Sequence, residues 1–297
     1  MTITRIGFIG LGVMGLPMAS NLTRAGFDVV GYSRTAATRD RFASAGGAIC
    51  ASVAEATRGA DLVITMLPDG PDVVEVVLGE DGVFANAKPS LIYVDMSTIS
   101  PDSAKDLAAE GNRRRIRVLD APVSGGEAGA SDAALSIMVG GSVDDFKICM
   151  PVFSAVGKTV IHVGSNGAGQ TVKAANQLIV AGTIELVAEA IVLLEACGNV
   201  DIVRAIEVMS GGLAGNRIFE RKTSSMLARN FEPGFRVDLH HKDLGIVLTT
   251  ARAAGAVLPL TAVVSQLMAA LRANGQGSQD HTALLTLVER LSGRVAK

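Results

Sequence analysis

The stretch Arg5-Ile6-Gly7-Phe8-Ile9-Gly10-Leu11-Gly12-Val13-Met14-Gly15-Leu16-Pro17-Met18-Ala19-Ser20-Asn21-Leu22 decides the fold. It opens with a short apolar run, Ile6 to Ile9, of a length suited to a buried strand. It breaks at Gly10-Leu11-Gly12-Val13-Met14-Gly15 and then runs into an amphipathic segment from Leu16 to Ala25. Strand, glycine turn and helix, in that order, are what a dinucleotide site requires. Gly10 allows the tight turn, Gly12 lets the backbone approach a pyrophosphate, and Gly15 lets the helix pack closely on the strand. The pyrophosphate would sit on free N–H groups at the positive end of the helix. An ordinary glycine turn could carry the same letters, since 33 of the 297 residues are Gly. The position between strand and helix patterns favours the nucleotide, with the whole loop from Gly10 to Gly15 as its cradle.

The length suits two domains, and 48% hydrophobic against 19% charged residues gives ample material for a core. A net charge of −2 offers no global attraction to nucleic acid or to an anionic membrane. Arg113-Arg114-Arg115 is a local cluster and reads as a solvated surface. The first apolar run is too short for a targeting signal, and no stretch of about 18 unbroken apolar residues spans a bilayer. Cys50, Cys149 and Cys197 are far apart and lack a CxxC or a companion His. They read as reduced thiols of a cytoplasmic protein, and no metal site is expected.

Strands and helices alternate to about residue 163. Strand candidates are residues 3–9, 29–32, 62–66, 91–94, 118–119, 136–139 and 160–163. Helical patterns cover 13–25, 36–45, 52–58, 71–78, 101–110 and 143–155. This alternation predicts an α/β, Rossmann-type, doubly wound parallel sheet whose ligands collect at the carboxyl ends of the strands. The glycine-rich join Gly164-Ser-Asn-Gly167-Ala-Gly169 ends it. Helical segments follow at 170–196, 200–209, 216–228, 237–254, 260–273 and 280–292. The expected division is therefore 1–163 for nucleotide binding and 164–297 for an all-α domain. Segment 170–196 is apolar on nearly every face, which predicts a buried central helix.

Several loops could carry function. After the second strand the chain has Ser33-Arg34-Thr35, where NAD-preferring sites carry an acidic residue for the ribose 2′-OH. A hydroxyl and a guanidinium would bind a 2′-phosphate, so NADP(H) is favoured and NAD(H) remains possible; Arg34 stacking on adenine would suit either. Met66-Leu67-Pro68 and Ser97-Thr98 read either as cofactor walls or, for the hydroxyls before Pro101, as helix caps. Ser124-Gly125-Gly126 offers consecutive backbone N–H groups for a small carboxylate, or is a plain glycine loop. On the long helix Gln170, Lys173, Asn176 and Gln177 fall within about 120° of one another. A lysine is rarely buried without a partner, so Lys173 facing a cleft is a candidate proton donor, against the plainer reading of a snorkelling side chain. His240 and His241 are adjacent on a helix and cannot share a metal.

Taken together, Gly10–Asn21, Asp120–Glu127, Gly167–Gln177 and Lys242-Asp243-Leu244 resemble the β-hydroxyacid dehydrogenase family over essentially the whole chain. The resemblance implies that Lys173 is the catalytic acid/base and that Ser124, Gly125 and Gly126 hold the substrate carboxylate. It also implies that Gln177 or Asn176 orients the hydroxyl or carbonyl, and that Thr98 and Lys242 contact the cofactor beside Met66 and Leu67. It further implies a homodimer or homotetramer formed through the helical domain. Gly211–Gly215, Asn230–His240, Asp280-His281 and Gln177 make the chain most similar to the branch that reduces tartronate semialdehyde to D-glycerate. A 3-hydroxyisobutyrate or threonate dehydrogenase is the alternative enzyme, and a non-catalytic cofactor-binding scaffold the alternative of another class.

Overall fold

The computed structural model describes residues 2–294. The chain divides into two compact units, the first ending at Lys173 and the second starting at Ala174.

In the first unit β1 (Arg5–Ile9), α1 (Gly15–Arg24), β2 (Asp28–Tyr32), α2 (Ala36–Ser44), β3 (Ala48–Ile49) and α3 (Val53–Thr57) come first. They are followed by β4 (Leu62–Thr65), α4 (Gly70–Leu78), α5 (Val83–Asn86), β5 (Ile92–Asp95), α6 (Pro101–Arg113) and β6 (Arg117–Asp120). The unit closes with β7 (Val123–Ser124), α7 (Gly126–Ser131), β8 (Leu135–Gly140), α8 (Val143–Ser154), β9 (Gly157–Gly164) and the start of α9 (Ala168–Cys197). The sheet order is β3-β2-β1-β4-β5-β6-β8-β7, with β9 also paired to β8. The first six strands are parallel in the 3-2-1-4-5-6 order of a dinucleotide-binding sheet.

Both faces of this sheet are buried. Ile6, Phe8, Leu62, Ile64, Ile92 and Val94 point into one apolar layer, while Ile9, Val63 and Tyr93 point into the other. Successive side chains alternate faces, so a strand buried on both sides reads as a continuous apolar run.

One expectation needs correction: the sheet is not wholly parallel. Asp120 faces Gly140, Val123 faces Ile137 and Ser124 faces Ser136, all antiparallel. β6 and β7 thus form one arm that β8 retraces in a constant register. The link between them holds only the six-residue α7 rather than a full crossover helix, and the chain turns back instead of crossing over. β3, β7, α5 and α7, each six residues or fewer, were outside the elements expected from periodicity.

From Ala174 the remainder of α9 is followed by α10 (Ile202–Ser210), α11 (Arg217–Leu227), α12 (Val237–Ala254), α13 (Pro259–Ala273), a 3₁₀ turn (His281–Ala283) and α14 (Leu284–Leu291). The expected helix at 280–292 therefore begins as a 3₁₀ turn. Two apolar clusters hold these helices, one around Ile184, Leu244 and Met268 and one around Ile191, Phe219 and Leu285.

The expectation that α9 is buried throughout is also corrected. It is long and apolar enough by length and composition to cross a membrane, yet only half of its most apolar window is buried. Val172, Ile179, Leu186 and Leu193 are 38%, 63%, 56% and 63% exposed. Their seven-residue spacing places them on one stripe. Lys173, Gln177 and Glu185 are instead buried. The helix is apolar all round because it has both an inner face and this outer stripe.

Candidate active site

Ile9 pairs with Tyr32 and Thr65, Thr65 with Asp95, and Asp95 with Asp120, so five strands end in one row. The loops leaving that row are Gly10–Gly15, Ser33–Thr35, Met66–Pro68, Ser97–Thr98 and the segment up to Gly126. Parallel pairing therefore gathers along one sheet edge the loops that sequence reading had singled out separately.

The first loop fits a dinucleotide. Gly10 has φ +103, and its N–H donates to the Tyr32 carbonyl at 2.9 Å. A Cβ on Gly15 would meet the Gly10 carbonyl oxygen at 1.8 Å, whereas one on Gly12 would meet nothing within 4 Å. Gly15 is thus reserved for helix packing, and Gly12 for whatever lies above the loop. No side chain caps α1 and its first turn holds no acidic residue, which suits an anion, although the Leu16 N–H already donates to the Gly12 carbonyl at 3.0 Å and Pro17 has none to offer. Leu11 is fully buried and can offer only its backbone, while Val13 is exposed and Met14 half-buried.

At the end of β2, Arg34 is exposed and pairs with Asp72 at 3.5 Å. Arg39, which sequence reading passed over, donates from α2 to the Ser33 carbonyl, and to that of Arg34 at 3.2 Å. No side chain caps α2 at Thr35, and its first turn too lacks an acidic residue. This corner brings two guanidiniums and an uncapped helix start together, with the Asp72 carboxylate against Arg34.

The two wall loops are joined from beneath. The Leu67 N–H donates to Ser97 Oγ at 2.9 Å, and Ser100, not Ser97 or Thr98, caps α6. Asp95 lies under both loops: Thr65 Oγ1 donates to its Oδ1 at 2.8 Å and the Ser97 N–H at 3.1 Å. Because the Thr65 hydroxyl is committed to Asp95, Tyr93 is the donor in its 2.6 Å contact with Thr65. Burial pushes the Asp95 carboxyl up to about 6 despite the Ser97 and Thr65 hydrogen bonds, with Asp120 adding repulsion.

The folded-state value lies above the ordinary 3.8, so ionised Asp95 costs stability. The cost is absent below the ordinary value, and it grows as pH rises through 6. Asp95→Asn should therefore gain on the parent by about 2 kcal/mol of unfolding free energy between pH 4 and pH 8. Urea unfolding at both pH values measures this; a difference independent of pH would show that Asp95 does not titrate in this window.

Asp120 accepts from the Gly167 N–H at 2.7 Å and the Gln170 N–H at 3.0 Å, fixing the start of α9. Gln170, grouped with Lys173 by helical spacing, does not face a cleft. Its Nε2 donates to the Ser97 carbonyl at 2.8 Å and its Oε1 accepts from the Ile99 N–H at 3.2 Å. Lys173 follows three residues later and is 7% exposed. Ser124 ends β7, and Gly125 and Gly126 have φ +148 and +66, values that favour glycine.

In the second unit Gln177 is buried, and its Nε2 donates to Asp243 Oδ2. Asn176 Nδ2 donates to Gln177 Oε1 at 2.9 Å. Lys242 Nζ pairs with Asp243 Oδ1 at 2.9 Å. The expected residues Asn176, Gln177 and Lys242 are thus linked through Asp243, whose role the letters did not reveal.

Residues 5–164 match the family model of the NAD binding domain of 6-phosphogluconate dehydrogenase. Residues 167–288 match that described as NAD-binding of NADP-dependent 3-hydroxyisobutyrate dehydrogenase. Fold, glycine cradle and these matches define an NAD(P)-dependent hydroxyacid dehydrogenase, and the chain belongs to the β-hydroxyacid dehydrogenase family. The chain is 42% identical to 2-hydroxy-3-oxopropionate reductase of Escherichia coli (strain K12), over 97% of this chain and 98% of that one. It is 34% identical to an NAD-dependent L-serine dehydrogenase of Pseudomonas aeruginosa, over 98% of this chain and 99% of that one. Among solved structures, 3-hydroxyisobutyrate dehydrogenase of Mycobacterium tuberculosis with L-serine matches with a TM-score of 0.85 and 34% identity, covering 97% of this chain and 99% of that one.

Proposed function

We propose that this enzyme reduces tartronate semialdehyde (2-hydroxy-3-oxopropanoate) to D-glycerate, with NADPH the preferred donor. The observation that carries the substrate is the 42% identity to 2-hydroxy-3-oxopropionate reductase along nearly the whole of both chains. When bound, the reduced cofactor supplies the hydride. Lys173 then donates a proton to the oxygen of the aldehyde as it gains negative charge. Its near-complete burial supports that role, because an ammonium kept from water without a purpose is costly. Ser124, Gly125 and Gly126 receive the substrate carboxylate on backbone N–H groups and a hydroxyl. Gln177 and Asn176 orient the reacting oxygen. In the reverse direction Lys173 must accept a proton, so rising pH favours oxidation.

The glycine loop, Met66, Leu67, Pro68, Thr98 and Lys242 hold the cofactor in this reading. The preference for NADPH rests on Ser33, Arg34 and Thr35, with Arg39 and the uncapped start of α2 adding donors and positive potential for a 2′-phosphate. Asp72 opposes it as a rival partner for Arg34.

A 3-hydroxy acid with another side chain is the second reading, favoured by the similarity to the L-serine and 3-hydroxyisobutyrate enzymes. Membership of the dehydrogenase family leaves the non-catalytic scaffold without support. The exposed stripe Val172, Ile179, Leu186 and Leu193 supports a homodimer or homotetramer, since four apolar residues at heptad spacing are suited to a facing helix.

The test is the initial rate of tartronate semialdehyde reduction with NADPH and NADH, on material whose oligomeric mass is first measured by light scattering. Higher kcat/KM with NADPH is expected. A preference for NADH would sink the 2′-phosphate argument. Inactivity with both cofactors, alongside turnover of 3-hydroxyisobutyrate or threonate, would move the substrate.

A further inference from the structure

Behind Gln177 lies a buried histidine pair. His240, on α12, and His281, in the 3₁₀ turn, are 0% and 4% exposed. His281 Nδ1 lies 2.9 Å from His240 Nδ1, and His240 Nε2 lies 3.2 Å from the Gln177 main-chain oxygen. A carbonyl oxygen only accepts, so His240 Nε2 carries a proton. In the neutral ring Nδ1 is then bare, and the proton between the rings must belong to His281 Nδ1. That leaves His281 Nε2 a bare acceptor, and it has no hydrogen-bond partner among the described residues. Burial, then repulsion from the neighbouring His240, holds His281 well below its ordinary value although Asp280 pulls the other way, so His281 stays a neutral ring. With His240 neutral as well, one proton arrangement satisfies these contacts.

The pair is braced on its far side. Asp280 Oδ1 and Oδ2 lie 3.1 and 3.0 Å from Lys222 Nζ. The same carboxylate accepts from the N–H groups of Gly234 and Phe235 at 3.0 Å and from Thr282 Oγ1 at 2.7 Å. With so many donors it is held in place 3.8 Å from His281 Nε2. The Phe235 ring packs edge-on against both imidazoles, with centroids 5.4 and 5.5 Å away. On the near side, His240 and Asp243 are one turn apart on α12 and grip a single residue. His240 holds Gln177 by its backbone carbonyl, and Asp243 holds it by its side-chain amide.

We propose that His281, acting through His240, is a positioning residue for Gln177. By donating from Nδ1 it fixes His240 as the Nε2–H tautomer, and that tautomer clamps residue 177 so that its amide keeps one orientation against Asp243. The functional half of this inference rests on the reading that Gln177 touches the substrate.

Two measurements test it. The chain has four histidines, so long-range proton–nitrogen NMR of histidine-labelled enzyme can assign each ring. His240 is expected as the Nε2–H tautomer and His281 as the Nδ1–H tautomer; a proton on His281 Nε2 would overturn the clamp, whether or not any variant folds. In steady-state kinetics with whichever hydroxy acid or aldehyde the enzyme turns over, His281→Phe removes the donor. KM for that substrate should then rise roughly tenfold or more with the Kd of NADPH unchanged, as small misplacements at an active site allow. His281→Asn keeps an N–H near the Nδ1 position and should restore KM. Parent-like KM in His281→Phe while Gln177→Ala raises it would overturn the positioning role. A KM unmoved by Gln177→Ala would instead overturn the substrate role of Gln177, leaving the tautomers to decide the clamp.

Discussion

Lys173→Ala is expected to lower kcat by at least ~10², the scale of general acid–base catalysis, while the affinity for NADPH is retained. The structure makes this a clean substitution. The backbone leading into Lys173 is held by Asp120, which accepts from the Gly167 and Gln170 N–H groups. It is held again by the Gln170 side chain on the Ser97 carbonyl and the Ile99 N–H. None of these bonds involves the lysine side chain. Truncation therefore removes the ammonium without freeing the helix that carries it. Stopped-flow or steady-state rates with saturating cofactor measure the effect, and near-normal turnover would remove Lys173 from the proton-transfer role.

Gly12→Val should fold as the parent does and yet lose at least tenfold in NADPH affinity, about 1.4 kcal/mol. A Cβ at Gly12 meets no protein atom within 4 Å, and the residue does not hold a positive φ, so the fold leaves room for a side chain to start there. The space it would fill is where a pyrophosphate approaches the backbone and the uncapped start of α1. Gly15→Ala is the contrasting case. Its Cβ would lie 1.8 Å from the Gly10 carbonyl oxygen and 3.1 Å from Phe8 Cε1, so backbone must move and the melting temperature should fall even without cofactor. Melting curves with and without NADPH separate the two variants. Parent-like binding by Gly12→Val would show that the pyrophosphate does not lie over this loop.

The two substitutions also divide what local pattern reveals from what it does not. The glycine loop was legible because strand, turn and helix are adjacent in the chain, and each glycine has a reason within a few residues. The Ser33–Thr35, Met66–Pro68 and Ser97–Thr98 loops could be found as strand ends, although only pairing across the sheet shows that they share an edge. Helical spacing put Gln170 on one face with Lys173, but a face does not say what it meets, and only the fold pairs its amide with Ser97 and Ile99.

What the sequence determined by itself was five of the six parallel strands, the nucleotide cradle, the helical second half and Lys173 as an anomaly on an apolar helix. Each follows from periodicity or from one residue out of keeping with its neighbours. Tertiary structure alone decided that β8 retraces the β6–β7 arm, that α9 carries an exposed apolar stripe, that Asp95 and Asp120 brace loops of the first unit, and that Asp243 and the His240–His281 pair brace Gln177 in the second. The contacts of Asp120 with Gly167, Asp243 with Gln177 and His240 with His281 join residues 47, 66 and 41 positions apart in the chain. No periodicity spans that distance, because a partner so remote is chosen by packing and by the cost of leaving a buried polar group unpaired.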